Sequence, residues 1–158
     1  MHSWCTHTYY VPMVTSIVLR LSSHRRRFAY AALRSFVNEM KSQGRWDDVT
    51  VLSASEFGRT ITSNGLGTDH AWAGNYFAVG GSVNGGQMHG VYPDDLREGN
   101  PLDQGRGRML PTMPWEGMWH GVAQWMDLAP EKIVEVLPDS VNFEAGTTLT
   151  TREQAFVN

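Results

Sequence analysis

The chain has 158 residues, 41% of them hydrophobic and 18% charged, which allows one domain with a buried core and argues against disorder or coiled coil. Thirteen Lys and Arg against sixteen Asp and Glu give a net charge of −3, so the basic footprint of a nucleic-acid binder is missing. A single cysteine, Cys5, permits neither an internal disulfide nor a cysteine-rich zinc site, leaving His and carboxylates as donors for any metal.

The apolar run at residues 11–21 is broken by Pro12, Thr15, Ser16 and Arg20 and is shorter than the ~20 residues of a membrane-spanning helix. Arg25, Arg26 and Arg27 follow this run rather than precede it, the reverse of a signal peptide, and read as the solvated entry to a helix. Residues 1–27 are therefore set apart as a divergent N-terminal segment. From Phe28 the spacing of Ala29, Leu33, Phe36, Val37 and Met40 predicts an amphipathic helix, with Gly44 as its stop. Residues 49–54, Val-Thr-Val-Leu-Ser-Ala, predict a short strand buried on both faces. Residues 76–79 predict a second strand, and Asn84-Gly85-Gly86 a turn that closes a hairpin.

Residues 88–110 show no periodicity and exceed the ~12–15 residues of an ordinary structureless loop, which marks a functional or partner-packed segment. Pro114 opens a further helix on which Trp115, Met118, Trp119, Val122 and Met126 share a face. Its tryptophans, Trp125 included, fit a packed core face, and secondarily a sugar-stacking platform. Pro130 starts a short helix stopped by Pro138, and residues 144–158 read as a loosely ordered tail. Helix followed by buried strand predicts an α/β fold with a partial, mainly parallel sheet flanked by helices.

The chemistry concentrates after the first strand, in Ser55-Glu56-Phe57-Gly58-Arg59-Thr60 and in Asn64-Gly65-Leu66-Gly67-Thr68-Asp69-His70. Ligands of open α/β sheets sit beyond the carboxyl ends of strands, which makes Glu56 the leading candidate metal ligand. Zinc, magnesium or manganese would take carboxylate and imidazole donors, and the loop glycines would let His70 fold back toward Glu56. Arg59 suits a phosphate or sulfate. The competing reading is structural: an ion pair of Glu56 with Arg59 at a strand end, and a turn cap at Asp69-His70. The short motifs of P-loop, dinucleotide-binding and nucleophile-elbow proteins are missing, and His89 and His120 read as structural or surface histidines.

The runs Ser-Glu-Phe-Gly-Arg at 55–59, Gly-Thr-Asp-His at 67–70 and Tyr-Phe-Ala-Val-Gly-Gly at 76–81 resemble a bacterial sulfatase-like family catalogued as a domain of unknown function within the alkaline-phosphatase-like superfamily. The resemblance covers residues 28–143, with Gly-Arg-Trp-Asp-Asp at 44–48 and the helix from Trp115 to Trp125. It implies an alkaline-phosphatase-like parallel sheet with a divalent-metal site acting on phosphate or sulfate esters. Glu56 and His70 would be ligands, His7 of Trp4-Cys5-Thr6-His7 a third, and Arg59 and Asn64 would contact the anionic group. Glu56-Phe57 replaces the Asp-His pair of many relatives, Cys5 replaces an aspartate, and no nucleophile is evident, so no catalytic residue is assigned.

The expectation is thus the C-terminal part of a larger domain, inactive alone, that self-associates or needs a missing N-terminal half. Its ligand would be an anionic ester or a glycan. Two alternatives stand beside it: a non-catalytic binding module whose surface is made by residues 58–70 and 88–110, and a gene-prediction remnant.

Overall fold

The computed structural model describes residues 23–157, so His7 and most of the divergent N-terminal segment lie outside the described residues. Helix α1, Ser23–Ser42, ends as expected. Gly44 takes φ 67°, its N–H bonds Lys41 O and that of Arg45 bonds Met40 O, the glycine-dependent double closure that satisfies a helix's last carbonyls. Val37 alone is buried among the α1 side chains described. A 3-10 turn at Trp46–Asp48 leads into strand β1, Thr50–Leu52.

The chain then leaves as an arm made of β2, Gly58–Arg59, and β3, His70–Ala71, before returning as β4, Ala78–Gly80. β1 pairs with β4 in antiparallel register, Val51 opposite Val79, and β2 pairs with β3, Arg59 opposite His70. This corrects the expected parallel sheet: the described strands form two separate two-stranded antiparallel pairs. A parallel pair requires a crossover of a dozen or more residues, usually a helix. Residues 53–77 supply the β2–β3 arm instead, which reverses the chain direction. Close approach fixes the β1–β4 end, because a Cβ on Gly81 would collide with the backbone and Oδ1 of Asp47.

The turn at Asn84-Gly85-Gly86 closes no hairpin; Val83 bridges to Phe156 across the chain. Helix α2, Glu116–Trp125, packs most closely on the short α4, Arg152–Ala155, with α3, Pro130–Val136, beside it. Gly117 and Gly121 are buried on α2, and a Cβ on Gly117 would lie 2.9 Å from Thr148 O. Thr151 and Gln154 cap α4 reciprocally. The expected loose tail is therefore built in: Phe156 joins Ala78 and fully buried Val83 in the core, covered by Leu52, Val122, Trp125 and Ala155.

Candidate functional site

The β2–β3 arm presents the residues singled out from sequence. Phe57 and His70 stack with ring centroids 3.7 Å apart at 21°. The Arg59 guanidinium lies 5.0 Å from the Phe57 ring centroid, and its Nη1 donates 2.9 Å to Thr68 O. A guanidinium has five donors, so this anchoring orients the group while most of its fork stays available for another acceptor. No ion pair joins Glu56 to Arg59 among the described residues. Glu56 is exposed.

Asn64 is consumed by its own loop. Its Oδ1 accepts from the N–H groups of Leu66 and Gly67, both at 2.9 Å, and its Nδ2 donates 2.6 Å to Asp69 Oδ1. Asp69 is held further by Thr60 Oγ1, which accepts from its N–H, and by Arg106, whose Nη2 lies 2.8 Å from its Oδ2. The turn carrying Arg106 also brings Gly107 O to Ile61 N at 3.0 Å. Residues 60–69 are thus clamped from inside by Asn64 and from outside by residues 103–109. These contacts hold the loop whose Thr68 O accepts from Arg59.

Residues 88–110 contain no helix or strand, yet they are pinned. Asp103 accepts from the N–H groups of Gly99 and Gly107, Asn100 accepts from Leu102 N–H, and Leu110 N–H bonds Leu102 O. The segment forms one side of a cleft of about 340 Å³. Arg59 lies in its wall with Trp72, Tyr76, Met88, His89 and Trp115. Tyr76 meets Trp115 edge-on at 5.6 Å, and its hydroxyl donates 3.3 Å to Ser55 O. Burial lowers the His89 pKa, favouring the neutral ring, and raises that of the Tyr76 phenol.

The lining is chiefly aromatic, Met, Pro and aliphatic, with a few polar groups set into it, the usual make-up of a small-molecule site. Of the sequence candidates Arg59 and part of residues 88–110 line the cleft, and so does His89, which the sequence reads as a structural or surface histidine. The tryptophans expected to form a packed core divide: Trp125 stacks on Phe156 in the core at 4.9 Å, while Trp115 is half exposed at the cleft. The available signal for the cleft was the lack of periodicity across residues 88–110.

A metal site fares less well. Among the described residues, no three His, Cys, Asp or Glu side chains gather closely enough to hold an ion. Glu56 and His70 are two of the three ligands expected, and the third, His7, lies outside the described residues.

The described residues thus form a mixed α/β domain in which an antiparallel arm sets a guanidinium in the wall of a largely apolar cleft. The family described as "Protein of unknown function (DUF1501)" matches residues 21–99, half of the chain, and the chain belongs to that family. No curated protein and no solved structure matches it.

Proposed function

We propose that this domain is a non-catalytic module that binds a ligand with an apolar body and an anionic head, such as an aryl or alkyl ester of sulfate or phosphate. One observation carries this reading: Arg59, oriented by Phe57 and Thr68, stands in the wall of a largely apolar cleft. Desolvated apolar contact would supply affinity, and the charged fork would select the head group. The alkaline-phosphatase-like, sulfatase-like reading shares this ligand class but requires a metal shell and a nucleophile. Its support is the likeness of residues 55–59 and 67–70 to that superfamily's motifs.

A matched probe pair tests the proposal. Anilinonaphthalene sulfonate carries an apolar body with an anion; N-phenylnaphthylamine has a similar body without one. Titrated by fluorescence, Arg59→Leu is expected to weaken the sulfonate probe by roughly threefold to tenfold, the scale of one partly exposed charge-assisted contact, and to leave the neutral probe unchanged. Equal binding of the sulfonate probe by the variant and the parent chain would remove Arg59 from the site. Metal-dependent turnover of aryl sulfate or phosphate, lost in His70→Ala, would replace the binding reading with the hydrolase one.

A further inference from the structure

The cleft wall is rich in thioethers. Of the six methionines with described side chains, Met88, Met109, Met113 and Met118 line it, whereas Met40 and Met126 do not. These four sulfurs meet solvent unequally. Met109 is 6% exposed, and its sulfur already accepts from Asn100 Nδ2 at 3.5 Å. Met113 and Met118 are half-buried, and Met113 Cγ and Cε lie 2.7 Å from where a Cβ on Gly117 would stand, packed against α2. Met88 is 50% exposed, and among the four it alone is an exposed residue.

Met88 is also held in place from both sides. Asn84 N–H donates to Ala155 O at 2.8 Å, and its Nδ2 donates to Gln154 O at 3.3 Å. Thr112 Oγ1 donates to Val91 O at 2.7 Å and accepts from Val91 N–H at 3.3 Å. Between these anchors Gly86, with φ +75°, and Gly90, with φ +83°, take left-handed conformations that turn the span. The two anchors thus set Met88 at the mouth of the cleft instead of on a free loop.

We propose that Met88 is an oxidation switch for the cleft: a hydroperoxide converts its thioether to the sulfoxide, and the polar product weakens the binding of apolar ligand bodies. A sulfur lone pair attacks the terminal peroxide oxygen, and the O–O bond breaks as the S–O bond forms. The hydroxyl proton passes to the departing oxygen, which leaves as water or an alcohol; sulfur loses two electrons and the peroxide gains them. Exposure makes Met88 the reactive thioether of the lining, and the change is reversible because sulfoxide reductases undo it. Binding an apolar body over the sulfoxide would bury a strong acceptor for which that body supplies no strong donor. The proposal rests on the apolar cleft of the proposed function and not on Arg59.

Hydrogen peroxide treatment of the full chain, followed by peptide mass spectrometry and titration with N-phenylnaphthylamine, tests it. Met88 and Met126, which is 63% exposed and outside the lining, are expected to gain one oxygen before Met109, Met113 and Met118. Affinity for the neutral probe should fall about fivefold on oxidation, the scale of burying one neutral polar group without a partner. Methionine sulfoxide reductase with dithiothreitol should restore it. Met88→Leu, whatever its starting affinity, should keep that affinity after peroxide; oxidation elsewhere, as at Met126 or Cys5, is common to both chains and drops out of the comparison. A Met88 that stays reduced while Met126 is oxidised, an unchanged affinity in the oxidised parent chain, or an equal loss in Met88→Leu would each overturn the proposal and leave the binding reading intact. An untreated chain that binds neither probe would overturn both.

Discussion

The imidazole of His70 lies flat on the ring of Phe57, centroids 3.7 Å apart, directly across the strand pair from Arg59. Phe57 thereby supports two side chains at once, since the Arg59 guanidinium also rests near its ring. The stack gives His70 a positioning role that requires a flat ring more than a titratable nitrogen.

Phe57→Ala is therefore expected to cost about 1 kcal/mol beyond the lost burial and to weaken the sulfonate probe although Arg59 is intact. His70→Phe should preserve both stability and probe affinity. Urea unfolding and the same fluorescence titration measure the two effects, and unchanged probe affinity in Phe57→Ala would show that Arg59 does not depend on the stack.

Gly58 faces the backbone just beyond β3 too closely for any side chain. A Cβ there would collide with the carbonyl of Ala73, backbone that cannot swing aside. Gly58→Ala is expected to part β2 from β3 and to cost about 3 kcal/mol or more, seen as accelerated amide exchange at residues 58–71. Gly65→Ala meets no atom within 4 Å and carries only its φ of +93°, so about 1 kcal/mol is expected. Equal losses for the two variants would refute the steric account.

The C-terminal segment is predicted to be essential to the core. Phe156 is 5% exposed, bridges to Val83 and stacks on Trp125 with the rings 9° from parallel. Phe156→Ala should cost about 3–5 kcal/mol and abolish much of the near-ultraviolet dichroism of Trp125. A loss below about 1 kcal/mol would mean that the segment is dispensable.

His89 predicts an acid sensitivity. Burial holds its folded pKa below the ordinary 6.5, so the unfolded chain binds more protons below that pH and stability falls as the medium is acidified. The loss begins near pH 6.5, grows until the folded pKa is passed, and is absent above about pH 7. The melting temperature between about pH 7 and 5 should fall less steeply in His89→Gln than in the parent chain; identical slopes would place the sensitivity elsewhere.

Much of the local structure was legible because it depends on local rules. Gly44 stops α1 since a left-handed residue is needed there, and Pro130 opens α3 since its missing N–H would be unsatisfied in any first turn. Strand direction was not legible: the Val-Thr-Val-Leu run is equally consistent with parallel or antiparallel neighbours, and the arm at 53–77 settles the matter through contacts that residues 49–54 do not contain. Arg59 was singled out from its residue type, while the hydrogen bonds of Asn64 depend on which loop donors reach its carbonyl.

The sequence by itself determined the helices α1 to α3, the glycine stop of α1, the strands β1 and β4, and singled out residues 55–70 as the place for candidate chemistry, because periodicity, turn residues and charge act over a few positions. Only the tertiary structure decided that His89 and Trp115 share a cleft with Arg59, that Phe156 completes the core, and that the strands run antiparallel. These are meetings of residues far apart in the chain, selected by the joint burial of apolar surface and the satisfaction of backbone groups, and no local pattern encodes them.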